Sequence, residues 1–483
     1  MAHMATTDSP SPTAHLDQQN FPDSPDLHDL QAQLDGSLST DPDVLASFST
    51  DESVYRPEGA ALALVRATSV DDVVHTMRFA HTHGIPVVPQ GARSGLAGGA
   101  CAIAGAILLS LRSMDRILEI DADTMTATVE PGVINQDLKD ALKAHGLAYP
   151  PDPGSVAMCT IGGNIATNAG GMCCVKYGVT REYVREIKVV LADGTLTTLG
   201  HRTIKGVAGL DLVGLLTGSE GTLGVIVGVT VKLVPAGPAP LSALATFPTV
   251  RAATETVTAY MATGATPSML EMMDGMTIGM ISEIGDFGLD ASVGAVLIMQ
   301  SDSVTAAADT EAFAAVAEEH GAADVAFADN PTDSDLLVAA RRSVQVANEH
   351  YTRSHGGGQM IEDVCVPRNQ LADFCSGVED IRDTTGATVA LVAHAGDGNT
   401  HPSVFYDLSD DASVAAGMDA FDQIMALGLS LGGTITGEHG VGVIKAEWLA
   451  KELDEGNRRL HREIKNAVDP TGILNPGKML EHL

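Results

Sequence analysis

The amino-acid sequence predicts an α+β fold. Short runs rich in Val, Ile and Leu alternate with segments of helical period, and Gly, Pro and Asp separate them. A hydrophobic content of 45% and a charged content of 19% are typical of globular domains. At 483 residues the chain is long enough for two or three domains. No apolar run reaches the ~18 residues that span a bilayer.

The first clear unit is β-α-β. Residues 61–67 and 85–91 are predicted as strands. Between them Ser69 is a typical N-cap, acidic residues occupy the first turn, and Gly84 follows the last turn. These signals predict a helix over residues 70–83.

The same alternation continues along the chain. Further predicted strands lie at 106–111, 117–132, 187–199 (a hairpin that turns at Asp193-Gly194), 221–235 and 295–300, and predicted helices lie at 135–146 and 306–321. Residues 432–483 are predicted as strand, turn, helix and a polar tail.

Changes in composition predict four segments, at 1–53, 54–236, 237–435 and 436–483. The first contains no Lys or Arg and many Asp, Ser and Pro, so we expect it to be mobile apart from a short helix near 27–34. A Pro-rich stretch near residue 236 separates the second segment from the third.

The charge and the cysteines exclude several classes of protein. The formal net charge is −34, which disfavours nucleic acid and anionic lipid as partners and requires local positive charge around any anionic ligand. The six cysteines form no C-x-x-C pair, which argues against an iron–sulfur cluster or a zinc ribbon. We expect a cytoplasmic protein with reduced thiols; peripheral membrane association is the alternative.

Two glycine-dense stretches suggest a cofactor. PQGARSGLAGG (89–99) has four glycines within nine residues, so its N–H groups can surround a diphosphate while Arg93 adds positive charge. It matches neither G-x-G-x-x-G nor the P-loop signature, and a structural turn is the alternative. Residues 150–178 contain six glycines and few bulky apolar side chains, which favours backbone packed against a flat ring over a core segment.

These stretches, together with LTGSEGTLGVI (216–226), HAGDGNTH (394–401), GEHGVG (437–442) and DPTGILNPGK (469–478), resemble motifs of the FAD-linked D-2-hydroxyacid dehydrogenases of the vanillyl-alcohol oxidase superfamily. That group includes D-lactate dehydrogenases, the glycolate oxidase flavin subunit and D-2-hydroxyglutarate dehydrogenase. The resemblance implies a PCMH-type FAD-binding domain of two subdomains over 54–236 and an α+β substrate or cap domain of the FAD-linked oxidase C-terminal type over 237–435. It also implies that 436–483 returns to the flavin site.

The resemblance further implies which residues hold FAD. They are Pro89, Gly91, Ala92, Arg93, Ser94 and Gly98 near the pyrophosphate, and Pro153, Gly154, Ser155, Thr160, Gly162, Asn164, Thr167, Gly170, Gly171, Gly221, Ile226 and Asn475 near the rest of the cofactor. Some relatives attach the flavin to a histidine in the first loop. This chain has none there, so we expect non-covalent FAD.

HAGDGNTH places two histidines across a Gly-Asp-Gly-Asn turn. His394 and His401 are seven residues apart, so a bend must bring them to one face. A polar turn between strands is one interpretation. The other is a Zn²⁺ or Mn²⁺ site completed by Glu438, because two imidazoles and a carboxylate suit these ions. The resemblance implies the second, since relatives hold a divalent metal on the matching residues.

The implied activity is the oxidation of a D-2-hydroxy acid, such as D-lactate or glycolate, to the 2-oxo acid. His439 would take the hydroxyl proton, and Arg341 would bind the carboxylate, with Arg342 as the alternative. The electrons would leave through an external acceptor (a quinone, a cytochrome or an electron-transfer flavoprotein), because no nicotinamide, haem or cluster motif is present. A homodimer is common among relatives.

Two positions depart from the D-2-hydroxyglutarate enzymes, which carry a lysine and an asparagine where this chain has Ile361 and Ser403. Their replacement favours lactate-like or bulkier hydrophobic substrates over a dicarboxylate. The alternatives are D-2-hydroxyglutarate dehydrogenase, a non-redox transferase similar to alkylglycerone-phosphate synthase, and a FAD-carrying subunit of a larger complex.

Overall fold

The computed structural model describes residues 26–328 and 330–483. The strands are β1 (Ser37–Ser39), β2 (Ala63–Arg66), β3 (Val87–Gln90), β4 (Ile107–Ser110), β5 (Ile117–Asp121), β6 (Thr126–Val129), β7 (Leu147–Ala148), β8 (Val184–Val190), β9 (Leu196–Gly200), β10 (Val225–Lys232), β11 (Val234–Pro235), β12 (Leu241–Phe247), β13 (Met269–Asp274), β14 (Ala295–Ser301), β15 (Asp324–Phe327), β16 (Gly357–Ile361), β17 (Val364–Cys365), β18 (Thr388–His394) and β19 (Asn399–Asp407).

The helices are α1 (His28–Gln31), α2 (Pro42–Ser47), α3 (Val70–His83), α4 (Asn135–Lys143), α5 (Ile161–Thr167), α6 (Cys174–Tyr177), α7 (Leu212–Leu216), α8 (Val250–Ala262), α9 (Gly275–Ile284), α10 (Ala306–Glu319), α11 (Pro331–Arg342), α12 (Val344–Ser354), α13 (Leu371–Thr385), α14 (Asp411–Ser430), α15 (Ala446–Glu452) and α16 (Glu455–Val468). None of those described combines the length and the apolar character that a membrane crossing requires.

A four-stranded sheet in the order β1-β2-β4-β3 opens the fold. Strands β2, β4 and β3 run parallel, and α3 connects β2 to β3. Ser69 and Asp72 form a capping box at the start of α3, and Gly84 ends the helix with a φ of 63°. The predicted β-α-β unit and its helix boundaries are confirmed.

The second sheet is antiparallel, in the order β5-β6-β10-β8-β9. Strands β8 and β9 form the hairpin predicted at Asp193-Gly194. Val129 and Ile187 of this sheet share one core with Leu138 of α4 and Ile161 of α5. This packing fixes α5, which lies in the second glycine-dense stretch, against the sheet.

The N-terminal segment differs from its prediction. Residues 1–25 of the segment expected to be mobile lie outside the described part of the chain. For residues 26–53 the prediction is wrong, because β1 pairs with β2 and the N–H groups of Asp35 and Gly36 donate to the Asp72 carboxylate. The short helix expected near 27–34 is present as α1.

An eight-stranded antiparallel sheet forms the second half of the fold. Its main path is β15-β12-β14-β13-β18-β19-β16, and β17 also pairs with β19. Leu270 and Met272 of β13 pack into the core on one face, whereas Met269 and Met273 pack into the core on the other. Because both faces of β13 are buried, its sequence shows no regular alternation of apolar and polar residues.

The strand predicted at the start of the last segment is wrong. Within 330–483, Thr434 makes only an isolated bridge to Cys365, and the Gly-rich sequence around it favours a turn over an extended ladder. The predicted helix is present in this segment as α15 and α16.

After α16 the chain returns to the first sheet. Leu474 forms a parallel bridge with Val87, at the start of β3. Nζ of Lys478, a buried side chain, donates to the carbonyl oxygens of Gly98 and Cys101. The last described residues therefore support the first glycine-rich loop.

Candidate functional site

A cavity of about 1130 Å³ lies between the two glycine-rich loops and the eight-stranded sheet. One wall consists of the loops that follow β3 and precede α5. The other consists of side chains from α11, α12, β16, β18 and β19 and from the GEHG stretch at 437–440. The volume exceeds the roughly 300–1,000 Å³ typical of small-ligand pockets, so the cavity can hold a large cofactor together with a small substrate.

Most of the residues implied to bind FAD line this cavity. They are Pro89, Gly91, Ala92, Arg93, Ser94, Pro153, Gly154, Ser155, Thr160, Gly162, Asn164, Thr167, Gly170, Gly221 and Ile226. The two loops touch, because a Cβ on Gly91 would lie 2.5 Å from Oγ1 of Thr160. A Cβ on Gly154 would meet nothing within 4 Å, so its backbone borders open space. These small residues fit a flat cofactor that lies close to the main chain.

Gly98, Gly171 and Asn475 do not lie on the cavity wall. Nδ2 of Asn475 donates to the carbonyl oxygens of Gly99 and Glu220, at 3.0 and 2.8 Å. The structure therefore does not support direct contact between these three residues and the flavin. Asn475 instead ties the first loop to the LTGSEGTLGVI stretch.

That Arg93 offers its charge to the pyrophosphate stays a prediction, although part of its guanidinium has other partners. Its Nη1 donates to the carbonyl oxygens of Ser47 and Thr50, at 2.8 and 3.1 Å. Its guanidinium carbon also lies 4.4 Å from the ring centroid of Phe48. Through Nη1 the side chain anchors the N-terminal segment, while Arg93 still lines the cavity.

The hairpin of β18 and β19 brings the two predicted histidines together. His394 is the last residue of β18, and His401 pairs with Val392 on the same strand. Residues two apart on a strand share a face, so both imidazoles point to the same side of the sheet. Nε2 of each histidine lies 3.1 Å from Oε1 of Glu438. The structure thus places the three predicted metal ligands around one point.

Asp363, to which no local sequence pattern points, fixes the Glu438 and His439 backbone. Its Oδ2 accepts the N–H groups of these residues at 2.9 and 2.7 Å and the hydroxyl of Thr436 at 2.6 Å. Its Oδ1 accepts the amide of Asn399 at 3.0 Å. Asp363 therefore determines how the GEHG turn faces the cavity.

Four side chains, Asp363, His401, Glu438 and His439, also have potential donor atoms within 4.8 Å of one another. We favour His394 over Asp363 as a ligand, because the Asp363 carboxylate is already engaged by its hydrogen bonds. His439 stacks on His401 with ring centroids 4.8 Å apart. Its buried Nδ1 has no hydrogen-bond partner among the described residues, which leaves this nitrogen for a bound group.

Buried negative charge dominates the cluster. Burial alone would lower the pKa of His394, but the carboxylates of Glu271 and Glu438 raise this pKa well above its ordinary value. Burial lowers the pKa of His439 to about 4, although Asp363 opposes the shift, so this imidazole is neutral near pH 7. Two imidazoles, a ligand carboxylate and further buried carboxylates form a donor set that fits a divalent cation.

Helix α11 ends at the two predicted arginines. The Arg341 side chain is 12% exposed, lines the cavity, and donates from Nε to Glu271 at 2.7 Å. The Arg342 side chain is 54% exposed and pairs with Asp335. The geometry favours Arg341 as the residue that faces a bound anion.

Glu271 is the second supporting residue that sequence reasoning missed. Its Oε1 lies 2.8 Å from Nδ1 of His394, and its side chain is fully buried on β13. The sequence held one signal for this role, which is a single acidic residue within the apolar run Met-Leu-Glu-Met-Met. A charge buried in such a strand requires polar partners.

Comparison with known proteins agrees with these features. The FAD binding domain family model matches residues 61–200, and the model for the C-terminal domain of FAD linked oxidases matches 239–479. Glycolate oxidase subunit GlcD of Bacillus subtilis is 38% identical and covers 86% of this chain and 88% of its own length. D-lactate dehydrogenase of Archaeoglobus fulgidus is 35% identical, with 87% and 91% covered.

Solved structures show the same fold at low identity. A substrate-bound p-cresol methylhydroxylase has a TM-score of 0.79 at 17% identity and covers 94% of this chain and 96% of its own. An alkyldihydroxyacetonephosphate synthase has a TM-score of 0.69 at 18% identity, with 91% and 83% covered. The predicted fold, a PCMH-type FAD-binding domain with an α+β cap domain, is confirmed. The chain therefore belongs to the family of FAD-linked oxidases that includes glycolate oxidase subunit GlcD and D-lactate dehydrogenase.

Proposed function

We propose that this chain catalyses the metal-assisted, FAD-dependent oxidation of a D-2-hydroxy acid, D-lactate-like or glycolate, to the 2-oxo acid. The observation that carries the proposal is that His394, His401 and Glu438 converge beside Arg341. They do so in the cavity that the two glycine-rich loops line. Relatives named glycolate oxidase subunit and D-lactate dehydrogenase support this substrate class.

Both implied groups fit the residues present. FAD, held non-covalently by the loops around Gly91 and Gly154, would accept the hydride from C2 of the substrate. A Zn²⁺ or Mn²⁺ ion on His394, His401 and Glu438 would lower the pKa of the substrate hydroxyl and orient the C–H bond.

The chain's own residues supply the remaining chemistry. The Nη groups of Arg341 bind the substrate carboxylate, because a guanidinium can hold both carboxylate oxygens at once. The neutral imidazole of His439 takes the hydroxyl proton, and Asp363 fixes the backbone that carries this imidazole. Burial of the cluster limits the access of water.

The two positions that differ from the D-2-hydroxyglutarate enzymes favour a monocarboxylate over 2-hydroxyglutarate. Ile361 pairs with Ser403 across β16 and β19, and Nδ2 of Asn348 donates to Oγ of Ser403 at 3.1 Å. These three side chains line the cavity and carry no charge, so they offer no ion pair to a second carboxylate.

The electron acceptor is external to this chain in the proposal. A quinone, a cytochrome and an electron-transfer flavoprotein fit it equally, and a homodimer remains a prediction from the family. The acceptor is external in the proposal because the given sequence contains no nicotinamide, haem or cluster motif.

The test is anaerobic reduction of the bound flavin by paired D- and L-2-hydroxy acids, with and without a chelator. We expect D-lactate or glycolate to bleach the flavin, L-lactate to leave it oxidised, and chelation to stop the reaction. A flavin that no 2-hydroxy acid reduces would favour the transferase or the FAD-carrying subunit. Full reduction after metal removal would reject the metal's role alone.

A further inference from the structure

We propose that Glu271 is a positioning residue that orients both anchors of the substrate site. It holds His394 toward the metal position and Arg341 toward the substrate carboxylate. This inference rests on the proposed function, and it adds to that function a residue that touches neither substrate nor metal.

The register of the sheet places Glu271 beside His394. Met272 of β13 pairs with Ala393 of β18 in an antiparallel ladder, so the preceding residue of β13 lies opposite the following residue of β18. The neighbours Leu270 and Met272 point into an apolar core. Glu271 lies on the opposite face, where its carboxylate meets the imidazole.

The contacts of this carboxylate are directed to two functional groups. Oε1 and Oε2 of Glu271 lie 2.8 and 2.9 Å from Nδ1 of His394. Oε2 also accepts Nε–H of Arg341 at 2.7 Å. The Glu271 side chain has no solvent exposure. These hydrogen bonds therefore compensate the free-energy cost of its buried charge.

Each contact has a chemical consequence. A carboxylate that accepts Nδ1–H leaves the lone pair of His394 on Nε2, the nitrogen that faces Glu438. The bond to Nε of Arg341 fixes the plane of the guanidinium and leaves its Nη groups for a ligand.

A shared carboxylate also fixes the separation between the metal ligand and the guanidinium. We therefore expect Glu271 to affect metal binding and the KM of the 2-hydroxy acid together.

The experiment compares Glu271→Gln with Asp274→Asn. Asp274 is a buried carboxylate on the same strand that caps α9, so its replacement tests loss of a buried acid away from the site. In Glu271→Gln we expect the affinity for Zn²⁺, measured by competition with a chromogenic chelator, to fall about 10- to 100-fold. The KM should rise as well. Asp274→Asn should change neither quantity, because an Asn oxygen can still accept the N–H of Thr277.

Glu271→Asp provides a second variant if Glu271→Gln does not fold, because the shorter side chain can retain one of the two contacts. In Glu271→Asp we expect either the Zn²⁺ affinity to fall or the KM to rise. Unchanged Zn²⁺ affinity and KM in a folded Glu271 variant, beside a wild type that binds Zn²⁺ and is reduced by a 2-hydroxy acid, would overturn this inference alone. A wild type that does neither would overturn the proposed function as well.

Discussion

Gly170, in the second glycine-dense stretch, lies directly against Glu438, the proposed carboxylate ligand of the metal. A Cβ on Gly170 would come within 2.6 Å of Oε2 and 3.1 Å of Cβ of Glu438. The second glycine-dense stretch and the proposed metal ligands therefore share a packing contact. Because residue 170 has no side chain, the Glu438 carboxylate can occupy this position.

We expect Gly170→Ala to weaken metal binding about tenfold or more, because the added methyl displaces Glu438. Metal content per chain and the rate of flavin reduction check this result. Gly279→Ala is the matched control, since a Cβ at this position of α9 meets nothing within 4 Å. Unchanged metal content in Gly170→Ala would show that Glu438 is not a ligand in this position.

Replacement of either cluster histidine, His394→Gln or His401→Gln, should remove the metal while FAD remains bound. The reason is that the two Nε2 atoms converge on Glu438, whereas neither histidine belongs to the glycine-rich stretches expected to hold FAD. Metal analysis and the visible flavin spectrum measure the two effects. His461→Gln is the control, because its Nδ1 contacts the carbonyl of Asn457 on its own helix. Normal turnover in the cluster variants would contradict a metal-assisted reaction.

Arg341→Met should raise the KM for the 2-hydroxy acid about 10- to 100-fold, since a hydrogen bond to a charged group contributes roughly 1.5–3 kcal/mol. Steady-state kinetics with the best substrate measure the change. Arg342→Met should leave KM nearly unchanged, because that guanidinium is largely exposed and pairs with Asp335. The reverse pattern would show that the second arginine binds the carboxylate.

His439→Asn should slow flavin reduction about 10²- to 10⁴-fold while FAD and metal stay bound, as expected for loss of a general base. Single-turnover mixing under anaerobic conditions isolates this step. A variant that reduces the flavin at the wild-type rate would exclude His439 from proton transfer.

The acid stability of the first sheet should depend on Asp72. Burial by itself would raise the pKa of Asp72. The N–H groups of Thr68, Asp35 and Gly36 together lower this pKa by more, so it lies below its ordinary value. The ionised carboxylate therefore stabilises the fold above the unfolded pKa of about 3.9, and this contribution is lost as the pH falls through the folded pKa.

Asp72→Asn should accordingly reduce the free energy of unfolding at pH 7 by about 1–2 kcal/mol. Denaturant titrations at several pH values measure the difference from wild type, which should shrink below about pH 4. A difference that stays constant across this range would mean that the charge contributes nothing.

Local sequence signals predicted the elements whose ends are determined locally. Ser69 and Gly84 bound α3, Asp193-Gly194 forms a hairpin, and the glycine turn after His394 brings the two histidines together. Each of these depends on residues a few positions apart.

Contacts between distant residues could not be predicted in this way. Glu271 and His394 are 123 residues apart, and they meet only because of the strand order of the sheet. The contacts of Arg93 with Ser47 and Thr50 were missed for the same reason, since these two residues lie in a segment expected to be mobile.

The return of Leu474 to Val87 and of Lys478 to Gly98 has a consequence for biosynthesis. These residues leave the ribosome after every strand of both halves of the molecule, yet they brace the first loop from behind. In a nascent chain the first glycine-rich loop therefore lacks this support until residues 474–478 have been made, and we expect stable cofactor incorporation to follow that point of synthesis.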